Sequence, residues 1–222
     1  MTSSPTLTPP NLTPKIYKIV LTGGPGAGKT TAIARMKDAF HKYGVATIVL
    51  PETATELINA GVAPWTCASM LEFQRNLFRL QSAKEDIYEQ CAQINQNPQV
   101  VLILDRGLLD NKAYLPTEEF EDILKGEHIS EKEILDRYDA VFHLVTAANG
   151  AVQDYTLDNN HTRTETPAQA VRLDDRLLSC WKDHPYLRTI PATPSFEEKL
   201  HLLQEEIDAF LETQCGLHPT KD

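Results

Sequence analysis

The stretch that decides the fold of this chain is Gly23-Gly24-Pro25-Gly26-Ala27-Gly28-Lys29-Thr30-Thr31. An apolar, β-branched run at 16–21 precedes it, and apolar residues at helical spacing follow it over 31–43. These flanks predict a buried strand before the glycines and an amphipathic helix after them. In such a setting the N–H groups of a glycine loop converge on an anion, and the helix start adds partial positive charge.

The stretch fits the pattern G-x-x-x-x-G-K-[ST], with Gly23, Gly28, Lys29 and Thr30 at its fixed positions. We therefore predict that residues 23–31 bind the phosphates of a nucleoside triphosphate. Lys29 is expected to reach the β- and γ-phosphates, and the hydroxyl of Thr30 to bind Mg²⁺. ATP is the expected nucleotide and GTP the alternative, because the sequence holds no guanine-specific N-K-x-D motif.

The composition limits the class of protein. The chain has 222 residues and a net charge of −10, which argues against general nucleic-acid binding. Residues 15–216 are expected to form one domain, between a disordered Ser-, Thr- and Pro-rich leader at 1–14 and a tail at 217–222. We expect a cytoplasmic protein with reduced cysteines, since neither a membrane-spanning run nor a signal pattern is present.

Strand and helix patterns alternate along the chain. Further strands are predicted at 45–50, 99–105, 140–145 and 187–190, separated by helical patterns such as 69–95 and 167–181. This order predicts an α/β fold with three layers, in which helices cover both faces of a parallel sheet. It is the fold class of P-loop NTPases of the nucleoside/nucleotide-kinase type.

Asp105 ends the most apolar of these strands. In P-loop proteins an acidic residue at such a strand end binds Mg²⁺ together with the loop hydroxyl, so Thr30 and Asp105 are the predicted metal ligands. A helix-capping role for Asp105 is the alternative. Asp110 and Tyr114 follow one turn apart and either face the same crevice or serve packing.

Glu52 follows the second strand through Pro51. The carboxyl ends of parallel strands line the ligand crevice, so Glu52 is a candidate for orienting or deprotonating an acceptor hydroxyl. This expectation assumes that the second strand lies beside the first. The alternative is an exposed acid at a helix start, where Thr53 and Glu56 form a predicted capping box.

The polar segment 150–166 lacks periodicity and is predicted to form a lid. Arg163 and Arg172 are expected to close on the transferring phosphates, because a guanidinium donates to several oxygens at once. Surface ion pairs with Asp174 and its neighbours are the alternative, and for Arg176 both interpretations are equally open. Trp65 and Trp181 are expected to be packing residues.

These motifs resemble the AAA-type ATPase/kinase domain related to NadR, the bacterial NAD regulator. The matching residues over 15–212 are 21–31, Pro51-Glu52, Asp105-Arg106-Gly107 with Asp110 and Tyr114, 138–144, 155–160 with Arg163, Trp181, His184-Pro185 and 196–199. The resemblance is closest to the branch with the NTPase portion of the TRPL-translocation-defect protein. The NadR branch implies nicotinamide riboside kinase activity, and the other implies GTP binding with phosphoinositide-linked trafficking.

Two functions follow as hypotheses. The first is a small-molecule kinase in which Lys29, Glu52, Asp105, Arg163 and Arg172 are catalytic, with Mg²⁺ and ATP as cofactors. The second is a nucleotide-dependent switch that binds a protein or phosphoinositide partner. Stimulation of nucleotide turnover by a small hydroxyl-bearing acceptor distinguishes the kinase from the switch.

Overall fold

The computed structural model describes residues 13–149 and 166–220. Residues 1–12 of the predicted leader and the predicted lid over 150–165, with Arg163, lie outside this range. The elements, in chain order, are β1 Lys15–Thr22, α1 Lys29–His41, β2 Ala46–Leu50, α2 Thr53–Asn59, α3 Met70–Gln93, β3 Gln99–Asp105, a 3₁₀ helix Leu108–Tyr114, α4 Thr117–Glu127, α5 Glu131–Leu135, β4 Ala140–Leu144, α6 Pro167–Cys180, β5 Leu187–Ile190 and α7 Phe196–Thr213.

The five strands form one parallel sheet in the order β2-β3-β1-β4-β5. The predicted three-layer α/β fold is thereby confirmed. The expectation that the second strand lies beside the first is wrong, because β3 separates β2 from β1. The interior of β3 is fully buried whereas most of β2 is only partly buried, so the more apolar strand takes the inner position and β2 the edge.

Two apolar cores cover the two faces of the sheet. Successive residues of β1 point to opposite faces, so that Ile19 belongs to one core and Val20 to the other. The first core includes α1 and α7, with Phe40 and Phe210 as buried members. The second includes α3 and α4, with Phe78 among its buried members. No helix among the described residues is long and apolar enough to cross a membrane.

Several details differ from the expectations for single residues. Thr53 does not cap α2, since the N-cap is Glu52 and no side-chain bond closes it. The helical pattern at 69–95 includes Ile87 and Ile94, and these apolar side chains are 55% and 82% exposed. Trp65 is 75% exposed and is not a packing residue, whereas Trp181 is fully buried as expected.

The buried face of α3 carries polar side chains that support the turn after β3. The Glu85 carboxylate is fully buried and accepts from the Tyr138 hydroxyl at 3.0 Å and from Gln81 Nε2 at 3.2 Å. Gln81 Nε2 also donates to the Arg106 carbonyl at 3.2 Å, and the Tyr138 hydroxyl accepts from the Leu108 N–H at 3.0 Å. Glu85 therefore connects Gln81 and Tyr138, the two side chains that bind the backbone of 106–108.

Burial raises the pKa of Glu85 to about 7, although Arg137 and Lys18 act in the opposite direction. The folded protein thus keeps a proton on this carboxyl that the unfolded chain releases near its ordinary pKa of 4.5. The stability linked to that proton is lost as the pH rises between these two values.

We expect Glu85→Gln to gain stability over the wild type as the pH rises from about 4.5 to about 8, because the variant has no carboxyl to ionise in the core. The gain amounts to at most about 3 kcal/mol, at about 1.4 kcal/mol per pKa unit. Urea denaturation at both pH values measures it. Asp86→Asn is the control, since Asp86 also pairs with Arg137 but its side chain is 55% exposed. Equal pH dependence of the two variants would contradict the burial argument.

Candidate active site

The loop between β1 and α1 has the conformation that a phosphate loop requires. Gly23, Gly26 and Gly28 have φ angles of 142°, 77° and 86°, a region that side chains disfavour. At Gly28 a Cβ would also lie 2.2 Å from the ring of Phe196, and at Gly23 it would lie 2.2 Å from the Leu144 carbonyl oxygen. Glycine is thus required at both fixed positions of the motif, for backbone conformation and for space.

Side chains from other elements hold the outer side of this loop. Asp174 of α6 accepts from the Gly24 N–H at 2.6 Å and from the Thr146 N–H at 3.1 Å. The Thr146 hydroxyl donates to the Pro25 carbonyl at 2.5 Å, and Lys199 Nζ donates to the Ala27 carbonyl at 2.9 Å. Asp174 is 3% exposed. The alternative that it forms surface ion pairs with the lid arginines is therefore wrong.

Lys29 begins α1 and lies among charges of both signs. Its Nζ donates to the Gly23 carbonyl at 3.0 Å. Burial and the neighbouring Arg106 lower the pKa of Lys29 to about 8, while Asp105 and Glu52 act in the opposite direction. The ammonium is therefore mostly charged at neutral pH, as an interaction with phosphate requires.

Asp105 ends β3 beside the loop, because β3 pairs with β1 in a register that places Asp105 opposite Leu21. Its Oδ1 is buried without a hydrogen-bond partner among the described residues, and burial raises the pKa of the carboxyl. An unsatisfied buried carboxylate oxygen fits a metal ligand. Among the described residues no group of three or more His, Cys, Asp or Glu is placed to hold a metal ion, so Mg²⁺ here would take Thr30, Asp105, phosphate oxygens and water.

Arg106 pairs with Glu52 and is the residue that sequence reasoning left without a role. Arg106 Nε lies 2.5 Å from Glu52 Oε1, and the Thr55 hydroxyl donates to Glu52 Oε2 at 2.5 Å. Burial alone would raise the pKa of Glu52, but Arg106 and Lys29 outweigh it and lower the pKa to about 2. Glu52 is thus a fixed carboxylate at neutral pH.

The backbone of Arg106 is strained, with a φ of 75° that is uncommon outside glycine. The Arg106 N–H donates to the Leu21 carbonyl at 3.1 Å, and the Arg106 carbonyl accepts from Gln81 Nε2. Such strained residues cluster at functional sites. The Asp-Arg-Gly sequence gave no local signal of this conformation, because the contacts that impose it come from α3 and β1.

A cavity of about 430 Å³ opens beside this pair, between α2, α3 and the 3₁₀ helix. Glu52 and Arg106 line it together with Phe73, Gln74 and Leu77. Gln74 is 3% exposed and its Oε1 has no hydrogen-bond partner among the described residues. The cavity thus combines apolar walls, unsatisfied amide oxygens of Gln74 and Asn111 and a charged pair, as small-molecule sites do.

Of the remaining predicted site residues, two line the cavity and two lie on α6. Tyr114 lines the cavity. Asp110 lines it as well, but its carboxylate accepts from the Thr22 hydroxyl, Trp181 Nε1 and the Gly107 N–H. These bonds agree with a packing role for Asp110, the alternative to a role in the crevice. On α6, Arg172 is exposed and Arg176 donates to the Leu115 carbonyl at 3.3 Å. The lid role of Arg172 and Arg163 stays a prediction.

We expect Asp174→Ala to destabilise the protein by roughly 2–6 kcal/mol, because it leaves two buried N–H groups without an acceptor, at about 1–3 kcal/mol each. Urea denaturation measures the loss. Asp175→Ala is the matched control, since Asp175 is exposed on the same helix. Asp174→Asn, which keeps one acceptor oxygen, should recover part of the stability. Similar stabilities of Asp174→Ala and Asp175→Ala would contradict the assigned role.

Comparisons with known proteins agree with this geometry. The family model of an AAA domain, AAA_28, matches residues 18–199. The structure of deoxyadenosine kinase from M. mycoides with bound dATP is similar, with a TM-score of 0.56 and 15% identity over 86% of this chain and 98% of that chain. The same kinase with bound dCTP gives a TM-score of 0.55 at 15% identity, over 86% and 99% of the two chains.

No curated protein matches the chain significantly in sequence. At 15% identity the likeness to the two solved structures concerns the fold alone. The family match covers most of the chain and begins before the phosphate loop. The chain therefore belongs to the AAA domain family, and its fold is that of a P-loop NTPase.

Proposed function

We propose that this protein is an ATP- and Mg²⁺-dependent kinase of a small molecule with a hydroxyl group. The observation that carries the proposal is the position of the Glu52–Arg106 pair, which lines the cavity and lies close enough to Lys29 to shift its pKa. A molecule in the cavity would thus meet a carboxylate and a guanidinium next to the phosphate loop. A switch that only binds and hydrolyses nucleotide has no need of such a cavity.

On the nucleotide side, ATP would lie with its phosphates on residues 23–31. Mg²⁺, held by Thr30 and Asp105, would neutralise charge on the phosphates. Lys29 would move from the Gly23 carbonyl to the β- and γ-phosphates, since an ammonium binds phosphate oxygens more strongly than a neutral carbonyl. Arg163 and Arg172 are proposed to approach the transferring group from the lid.

On the acceptor side, Glu52 would accept a hydrogen bond from the hydroxyl and orient its oxygen toward the γ-phosphate. A carboxylate with a pKa of about 2 is a weak base in the resting site. Phosphoryl transfer has a loose transition state and depends chiefly on positioning, so a weak base suffices until late in the reaction. Arg106, released in part from Glu52, would stabilise charge on the transferring group.

The walls of the cavity favour a ring-bearing acceptor. Phe73 and Leu77 supply apolar surface, and the unsatisfied Gln74 amide oxygen calls for a donor on the ligand. A nucleoside-like molecule or an NAD precursor has both a flat ring and a primary hydroxyl. The fold shared with deoxyadenosine kinases and the resemblance to the NadR branch support this class of acceptor.

We expect Lys29→Met to lower nucleotide turnover at least about 10²-fold, because it removes the charge that meets the phosphates. Release of ADP from Mg·ATP measures turnover. Lys37→Met is the control, since it removes the same charge from an exposed position on α1. Near-normal turnover by folded Lys29→Met would refute the nucleotide site.

We expect Glu52→Gln to keep ATP affinity and to lose acceptor phosphorylation by about 10²–10⁴-fold, the range for a lost proton-accepting group. The wild type is first screened against a panel of nucleosides and NAD precursors to identify the acceptor. ADP release and the mass of the product measure phosphorylation. Glu56→Gln is the control, because Glu56 is on α2, the helix that begins after Glu52, and does not line the cavity.

The outcomes of this panel separate the two functions. Weaker ATP binding by Glu52→Gln with intact acceptor turnover would place Glu52 on the nucleotide side. If no acceptor stimulates the wild type, the kinase proposal fails. Binding of a protein or phosphoinositide that depends on ATP or GTP would then support the switch.

A further inference from the structure

A buried lysine on α7 contacts the phosphate loop from behind. Lys199 is 4% exposed, and its ammonium donates to the Ala27 carbonyl at 2.9 Å and to the Val145 carbonyl at 2.5 Å. Among residues 13–149 and 166–220 it forms no ion pair with a carboxylate. A buried ammonium without a paired carboxylate is costly, so its place in this fold calls for an explanation.

The environment of Lys199 contains a second cation. Burial lowers the pKa of Lys199 to about 8, Asp174 acts in the opposite direction, and the charge of Lys29 lowers the pKa further. The two ammonium groups repel each other across the loop, and the neighbouring carboxylates offset part of that repulsion. An anion on the loop would interact favourably with both ammonium groups.

The peptide between Ala27 and Gly28 lies between Lys199 and the inner side of the loop. It is trans, so its N–H and its C=O point in opposite directions. Since Lys199 donates to the carbonyl of Ala27, the Gly28 N–H of the same peptide faces away from Lys199. A charge at the carbonyl end polarises the amide and makes its N–H a stronger donor, as in chains of hydrogen bonds.

The first turn of α7 is held in the position that this contact needs. The Phe196 ring packs against Gly28, where a Cβ would lie 2.2 Å from it. The Ser195 hydroxyl caps the helix by accepting from the Glu198 N–H at 3.2 Å. Lys199 follows one turn after the cap, so its ammonium reaches the loop without exposure to water.

We propose that Lys199 is a positioning residue for triphosphate binding, which acts through the Ala27–Gly28 peptide and favours ligands with more phosphate charge. This inference rests on the proposed nucleotide site. Lys199 touches no phosphate and strengthens the donor that does. A purely structural role, in which Lys199 only joins α7 to the end of β4, is the competing explanation.

The test compares Lys199→Gln, which keeps one donor and loses the charge, with Lys199→Arg, which keeps both. Calorimetry measures the affinity for Mg·ATP, Mg·ADP, inorganic tripolyphosphate and adenosine. We expect Lys199→Gln to bind Mg·ATP and tripolyphosphate roughly 10- to 100-fold more weakly, the range for loss of a charged hydrogen-bond partner. Adenosine binding should stay within about twofold, and Lys199→Arg should recover most of the triphosphate affinity. Lys37→Met controls for net charge.

Equal losses of affinity for adenosine and for Mg·ATP would overturn the inference in favour of the structural role, and so would unchanged binding by folded Lys199→Gln. If that variant does not fold, NMR of lysine-labelled wild type, with Lys199→Arg for assignment, decides instead. The Lys199 pKa should rise when tripolyphosphate binds, and an unchanged pKa would overturn the inference. Wild-type protein that binds neither ATP nor tripolyphosphate would refute the nucleotide site itself.

Discussion

The phosphate loop depends on hydrogen bonds that are made on its outer side. Asp174, Thr146 and Lys199 satisfy a backbone N–H and two carbonyls there, from elements that follow the loop by more than a hundred residues. A backbone polar group that found no such partner would pull the loop toward another conformation or stay unsatisfied at a cost. With its outer groups bound, the loop keeps the positive φ angles at Gly23 and Gly28, which glycine adopts without strain, and its remaining N–H groups can turn toward an anion.

The cavity side of the site depends on a strained residue, Arg106, which a buried polar network supports. Arg106 has the conformation that places its side chain on Glu52, and Gln81 and Glu85 stabilise it from α3. A buried carboxyl with a raised pKa destabilises the fold, as does left-handed backbone at a non-glycine residue. Sites that lower stability in this way persist where they hold reactive groups in place, and here the held groups are Asp105 and Arg106 on consecutive positions.

The sequence predicted those parts that depend on local pattern. The phosphate loop and the boundaries of 99–105 and 187–190 follow from glycine spacing and from apolar runs of strand length, and the structure has both strands at those residues. The order of β2 and β3 did not follow, because burial of whole strands against two cores decides it. The roles of Asp174 and Lys199 did not follow either, since each acts on a loop 150 or more residues away and looks from sequence like an ordinary charge on a helix. For Arg106 the motif was visible, but its backbone conformation depends on contacts from α3.

Lys29 links the two halves of the site through electrostatics. Arg106 lowers its pKa, while the carboxylates of Asp105 and Glu52 raise it, so the lysine responds to any ligand that changes the charge on either side. Mg²⁺ on Asp105 would remove one of those negative charges, and a triphosphate on the loop would add several. The charge of Lys29 would thus depend on the balance between the phosphates, which favour the ammonium form, and Mg²⁺ and Arg106, which disfavour it.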